Sequence, residues 1–126
     1  MNTKTSVLVV DDEPIVGERL KAYLERSGFV VDACSSSEDA LGRLRARAYD
    51  ILVTDIKMSS PDGIEVLQIA RQIRPAIKSV VITGFATKAT AEEARRSGAV
   101  EFIAKPFKMS HLKELLTKLS EPKDYS

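Results

Sequence analysis

The sequence predicts an α/β fold: a parallel sheet of five strands with helices on both faces. Three observations lead there. Short apolar runs alternate with segments of helical spacing along the whole chain. The first run, Ser6–Val10, is continuous rather than alternating, as in a strand buried on both faces. A helix separates each strand from the next, so every right-handed crossover brings the chain back to begin a parallel neighbour.

Ser6–Val10 is the first strand, ending in Asp11 and Asp12. Pro14 suits a first helical turn, and Val16, Leu20, Tyr23, Leu24 and Ser27 follow at helical spacing until Gly28 offers a left-handed cap. Phe29–Cys34 reads as the second strand. Ser36 and Ser37, followed by Glu38 and Asp39, open a helix with Leu41, Leu44 and Ala48 inward. Asp50–Thr54 is the third strand and ends at Asp55. Lys57–Gly63 is a loop rich in Ser, Pro and Gly, after which Val66, Leu67, Ala70 and Ile73 define a helix closed by Pro75. Ile77–Thr83 is the fourth strand. Thr87 or Thr90 caps a helix running to Ser97 and Gly98, whose inward residues are mostly alanines, so it is expected to be the loosest. Val100–Ala104 is the fifth strand. Ser110 is expected to cap a last helix with Leu112, Leu115, Leu116 and Leu119 on one side, and Glu121–Ser126 reads as a polar tail or the start of a linker.

At 126 residues the chain makes one domain, here 1–120. Hydrophobic residues at 44% and charged residues at 29% fit a globule of the cytoplasm. Nineteen Lys and Arg against eighteen Asp and Glu leave a formal charge of +1, so there is no global basic field for nucleic acid or an anionic membrane. Cys34, the single cysteine, reads as packing and cannot form an internal disulfide. No signal peptide precedes the first strand, and no apolar stretch reaches membrane-spanning length.

Folds of this class place their sites at the carboxyl ends of the strands. The polar residues terminating the strands are Asp11, Asp12, Asp55, Thr83 and Lys105. Three converging carboxylates repel one another unless a cation fills the gap, and an all-oxygen set open to water suits Mg²⁺. Asp12 and Asp55 are the expected direct ligands, with Asp11 acting through water. Lys105 and the Thr83 hydroxyl complete a cradle for a phosphate, and Asp55 at its centre is the candidate nucleophile.

With Asp11-Asp12-Glu13, Asp55, Asp62-Gly63, Thr83-Gly84 and Lys105-Pro106 at these spacings, the chain resembles a response-regulator receiver domain of two-component signalling over residues 5 to about 120. The resemblance implies the flavodoxin-like strand order 2-1-3-4-5. It also implies a cognate sensor histidine kinase as phosphohistidine donor, Asp55 as acceptor, and Mg²⁺ on Asp12, Asp55 and the Lys57 carbonyl. It implies a non-enzymatic switch that only assists its own phosphoryl transfer and slow self-dephosphorylation. Thr83 and Phe102 are then the switch pair, and the surface formed by the fourth helix, fifth strand and fifth helix is the output. That surface would serve an effector domain or partner protein, or a phosphorylation-dependent homodimer. The runs Ile82–Thr87 and Gly98–Phe107 look most like the nitrogen-regulator class, which precedes an ATPase and a DNA-binding domain. Ser59 stands where the family commonly has Pro, with Pro61 shifted toward the turn.

Other readings fit less well. A haloacid-dehalogenase-like phosphatase wants a second Asp where Lys57 stands, and a flavin carrier wants a phosphate-binding rather than an acidic first loop. A degenerate, phosphorylation-independent receiver is disfavoured by the intact acids and lysine. His111, the only histidine, reads as a solvated residue.

Overall fold

The structure, a computed structural model, describes residues 4–56 and 62–120. The loop residues 57–61, and with them the expectations for Lys57, Ser59 and Pro61, lie outside the described residues, as does the stretch 121–126.

Five strands and five helices alternate: β1 Ser6–Val10, α1 Pro14–Arg26, β2 Val30–Cys34, α2 Ser37–Ala46, β3 Ile51–Thr54, α3 Gly63–Ile73, β4 Lys78–Thr83, α4 Lys88–Arg96, β5 Ala99–Ala104 and α5 Met109–Ser120. The sheet is parallel throughout, in the order β2-β1-β3-β4-β5.

Strand residues alternate between two apolar clusters because successive side chains leave opposite faces of a pleat. Leu8, Val10, Leu52 and Val81 pack against residues of α2 and α3, while Val7, Val9, Ile51, Val53, Val80 and Ile82 pack against α1 and α5. Burial on both faces is what made β1 and β3 read as unbroken apolar runs, whereas the edge strands β2 and β5 are partly exposed and carry Asp32 and Glu101.

The helix starts follow local chemistry. Pro14 opens α1, and Gly28, at φ +100°, ends it. The Ser36 hydroxyl accepts from the Asp39 amide at the start of α2. Thr87 caps α4 and Thr90 closes the reciprocal box, so both candidate residues take part. Of the nine residues of α4 only Ala94 is buried, in keeping with the expected loose anchoring.

Three expectations need correcting, all at helix ends. The second helix stops at Ala46, which leaves Ala48 exposed, and the neighbouring Tyr49 fills the core at 1% exposure. Ile73, in the last turn of α3, is 39% exposed instead of inward. Ser110 is not the cap of α5: the helix begins at Met109, and the Lys108 carbonyl accepts from the amides of His111 and Leu112.

Beside α2, the Tyr49 hydroxyl donates to Asp32 at 2.6 Å, and Arg47 pairs with the same carboxylate at 2.9 Å. This cluster borders Cys34. Burial, the charges of Asp39 and Asp32, and an opposing pull from Arg43 leave the Cys34 thiol pushed up to about 11 from an ordinary 9.0. The thiol is therefore expected to resist aromatic disulfide reagents in the native protein, with ~100-fold less thiolate near neutral pH than an ordinary cysteine. Titration with such a reagent, before and after adding denaturant, checks this. The sign for stability follows from linkage: the folded state holds the proton longer, so stability falls as pH rises from about 9 to about 11.

Candidate phosphoryl-acceptor site

β1, β3, β4 and β5 deliver the site at one edge of the sheet. Asp11 directly follows β1 and Asp55 directly follows β3, and the parallel ladder holds them side by side: the Asp55 amide donates to the Val10 carbonyl at 3.2 Å. Both are buried, at 4% and 8% exposure, whereas Asp12 is exposed. One carboxylate oxygen from each of Asp11, Asp12 and Asp55 lies within 4.8 Å of the others.

Lys105 reaches in from the end of β5. Its Nζ donates to Asp11 Oδ2 at 2.9 Å and to Asp55 Oδ2 at 3.1 Å. Burial alone would pull its pKa down; the hydrogen bonds and charges of the two carboxylates outweigh that, and the ammonium titrates above the ordinary lysine value. It stays charged throughout the working range of a protein.

Thr83, fully buried at the end of β4, accepts a hydrogen bond from the Phe85 amide at 3.1 Å, and its carbonyl accepts from the Lys105 amide at 2.9 Å. The ends of β4 and β5 are thereby tied together. Phe102 is half-buried and packs against the α2–α3 cluster, while Phe85 is 58% exposed.

Three supports were not read from the sequence. The Asp11 carboxylate accepts from the Glu13 amide at 2.9 Å, a local turn that orients it. Asp62 is the N-cap of α3, accepting from the Glu65 amide at 3.1 Å, and the acidic residue three positions on was the available signal. Gly63 approaches the residues that follow β3 so closely that a Cβ there would overlap the Asp55 carbonyl oxygen and crowd Ile56 Cα. The Lys105–Pro106 peptide is cis.

The model of the response regulator receiver domain matches residues 7–117. The chain belongs to the response-regulator receiver family. This receiver domain is 35% identical over 115 residues to the transcriptional regulatory protein ZraR of Salmonella typhimurium, an alignment covering 91% of this chain and 26% of ZraR. It is 36% identical over 119 residues to the transcriptional regulatory protein FixJ of Rhizobium meliloti, covering 94% of this chain and 58% of FixJ. The receiver therefore spans about a quarter of one relative and somewhat over half of the other. Among solved structures, a CheY-like receiver domain from Methanospirillum hungatei superposes with a TM-score of 0.86 at 26% identity, covering 93% of this chain and 94% of that one. Among the described residues no helix is long and apolar enough to cross a membrane.

Whether the donor set fits the divalent ion that the family implies can be judged from its chemistry. The three carboxylates offer hard oxygen atoms within one ion's reach of each other, with no sulfur or imidazole among them. Asp12 is the exposed member, so the set opens toward solvent. That suits an ion which keeps some of its waters, and the residues present fit Mg²⁺.

Proposed function

We propose that this receiver domain accepts a phosphoryl group on Asp55 from the phosphohistidine of a cognate sensor kinase. The observation that carries the reading is the meeting of Asp11, Asp12 and Asp55 within 4.8 Å, with the Lys105 ammonium bonded to two of the three.

In the transfer, the nitrogen–phosphorus bond of the donor breaks and an oxygen–phosphorus bond to Asp55 forms. The electron pair leaves with the imidazole, which takes up a proton. Asp12 and Asp55, with Asp11 and the Lys57 carbonyl, are the residues that would hold Mg²⁺. When bound, the ion supplies charge compensation for the phosphoryl oxygens. Lys105 holds Asp55 oriented before transfer and offers its ammonium to a phosphoryl oxygen afterwards. Thr83 turns its hydroxyl from the Phe85 amide toward the new phosphoryl group, and Phe102 follows inward. The surface of α4, β5 and α5 is the output in this reading, and the slight burial of α4 supports it. Such a surface would serve an effector domain, a partner protein or a second phosphorylated copy. The domain would act in the cytoplasm and take part in transcriptional control, as the names of ZraR and FixJ suggest.

The test is intact mass after incubation with acetyl phosphate and Mg²⁺. A single phosphoryl adduct is expected, absent when the metal is chelated and absent in Asp55→Asn. A folded protein that gains no adduct, or an Asp55→Asn variant that gains one equally well, would overturn the assignment.

A further inference from the structure

Thr90 does more than a capping box asks of it. In such a box the third helical residue need only accept a hydrogen bond from the amide of the cap residue, and Thr90 Oγ1 accepts one from the Thr87 amide at 2.9 Å. A threonine hydroxyl also carries one proton of its own. Three oxygens lie within its reach: the Phe85 carbonyl at 2.7 Å, and the Thr87 carbonyl and hydroxyl at 3.0 Å each. The shortest of these contacts is the one that leaves the helix and its cap, so geometry assigns the proton to Phe85.

The Phe85 backbone is bonded in both directions. Its amide donates to the Thr83 hydroxyl at 3.1 Å, and its carbonyl accepts from the Thr90 hydroxyl and, at 3.1 Å, from the Thr87 amide. A single residue thus joins the buried threonine of the acceptor edge to the first turn of α4. Lys88 and Ala89 in that turn are exposed. Among the described residues the turn has one hydrogen bond to a residue outside the helix and its cap, that of Thr90 to Phe85. The far end of α4 is seated by packing instead: Ala94 and Ser97 are buried, and Gln68 of α3 donates to the Ser97 hydroxyl at 3.4 Å.

We propose that the Thr90 hydroxyl is a latch, which holds the first turn of α4 to the acceptor edge for as long as Thr83 accepts from Phe85. Thr90 is a positioning residue, since it acts through the Phe85 backbone and touches no reacting group. When the Thr83 hydroxyl turns away, the Phe85 amide loses the bond that fixes it, and α4 loosens from its first turn while its last turn stays seated. That step rests on the turning of Thr83 proposed above. The coupling of Thr83 to Thr90 in the unmodified protein does not.

The experiment is hydrogen exchange at the amides of Ala91, Glu92 and Glu93, read by NMR on the whole chain in wild type, Thr90→Ser and Thr90→Glu, each with and without Thr83→Val. Glutamate keeps the capping box, because its carboxylate accepts from the Thr87 amide, but it has no proton for Phe85. Thr83→Val is expected to speed exchange about fivefold beside the native threonine or Thr90→Ser, the effect of losing one hydrogen bond of ordinary net strength, and to leave it unchanged beside Thr90→Glu. Beryllofluoride with Mg²⁺, a mimic of the phosphoryl group, is expected to give the same acceleration in wild type and Thr90→Ser and none in Thr90→Glu. Thr83→Val acting equally with and without Thr90→Glu, or in neither, would overturn the latch. So would a beryllofluoride response that survives Thr90→Glu. If beryllofluoride leaves the Asp55 amide resonance in place, the acceptor reading fails instead, and the Thr83→Val comparison still decides the latch. Should Thr83→Val not fold, Thr83→Ala removes the same hydroxyl.

Discussion

Lys105→Met is expected to lower the rate of phosphoryl uptake from acetyl phosphate by about 10²- to 10³-fold, the usual cost of removing one charged donor from a transferring phosphoryl group. The substitution keeps the length and apolar stem of the side chain while removing the ammonium, so packing at the end of β5 is largely retained. What is lost is the contact to Asp11 and Asp55 at 2.9 and 3.1 Å. Two buried carboxylates then face each other without their shared cation, and the variant should depend more steeply on Mg²⁺ concentration than wild type. Rates followed by intact mass across a metal titration check both effects. A variant with the wild-type rate at every metal concentration would remove Lys105 from the mechanism.

Gly63→Ala is expected to cost about 3 kcal/mol of stability, toward the upper range for overpacking, and to impair phosphoryl uptake as well. The added methyl would overlap the backbone oxygen of Asp55 itself, and backbone cannot give way as the end of a flexible side chain can. The Gly63 amide also donates to the Ile56 carbonyl at 2.9 Å, which brings the start of α3 against the segment following β3. Relief of the overlap must therefore move Asp55, the start of α3, or both. Urea denaturation of wild type and variant, with uptake measured on the fraction that remains folded, separates the two consequences. An unchanged midpoint would mean that α3 can withdraw without cost.

These two positions differ in how far the sequence announces them. Lys105, like Asp11, Asp12 and Asp55, ends an apolar run, and a parallel sheet necessarily gathers such residues at one edge. Topology alone then makes them neighbours. Gly63 reads only as part of an Asp-Gly turn, because its close approach to Asp55 depends on the angle at which α3 returns to the sheet. The helix ends were misread for a related reason. Ala48, Ile73 and Ser110 continue or begin plausible local patterns, while tertiary contacts decide where the helices stop. Tyr49 takes the core place expected of Ala48 because its hydroxyl finds Asp32, 17 residues away in sequence, at 2.6 Å. No spacing rule reaches that pairing. The inner strands were legible because burial on both faces leaves little room for a polar residue within them, while the edge strands β2 and β5, which hold Asp32 and Glu101, were legible from their apolar residues and their place between helices.

The order in which the site's parts appear along the chain bears on how the protein is made. The acids come from the first and third strands, but the ammonium bonded to them comes from the fifth, 50 residues after Asp55 and 94 after Asp11. A nascent chain on the ribosome has exposed all three carboxylates long before Lys105 leaves the exit tunnel. During that interval the site lacks the lysine that bonds two of its three acids, and the sheet lacks its fifth strand. On the reading proposed above, competence to be phosphorylated thus arrives only when the fifth strand has joined the sheet, which would make the phosphorylated species a mark of a completed receiver fold as well as of an active kinase.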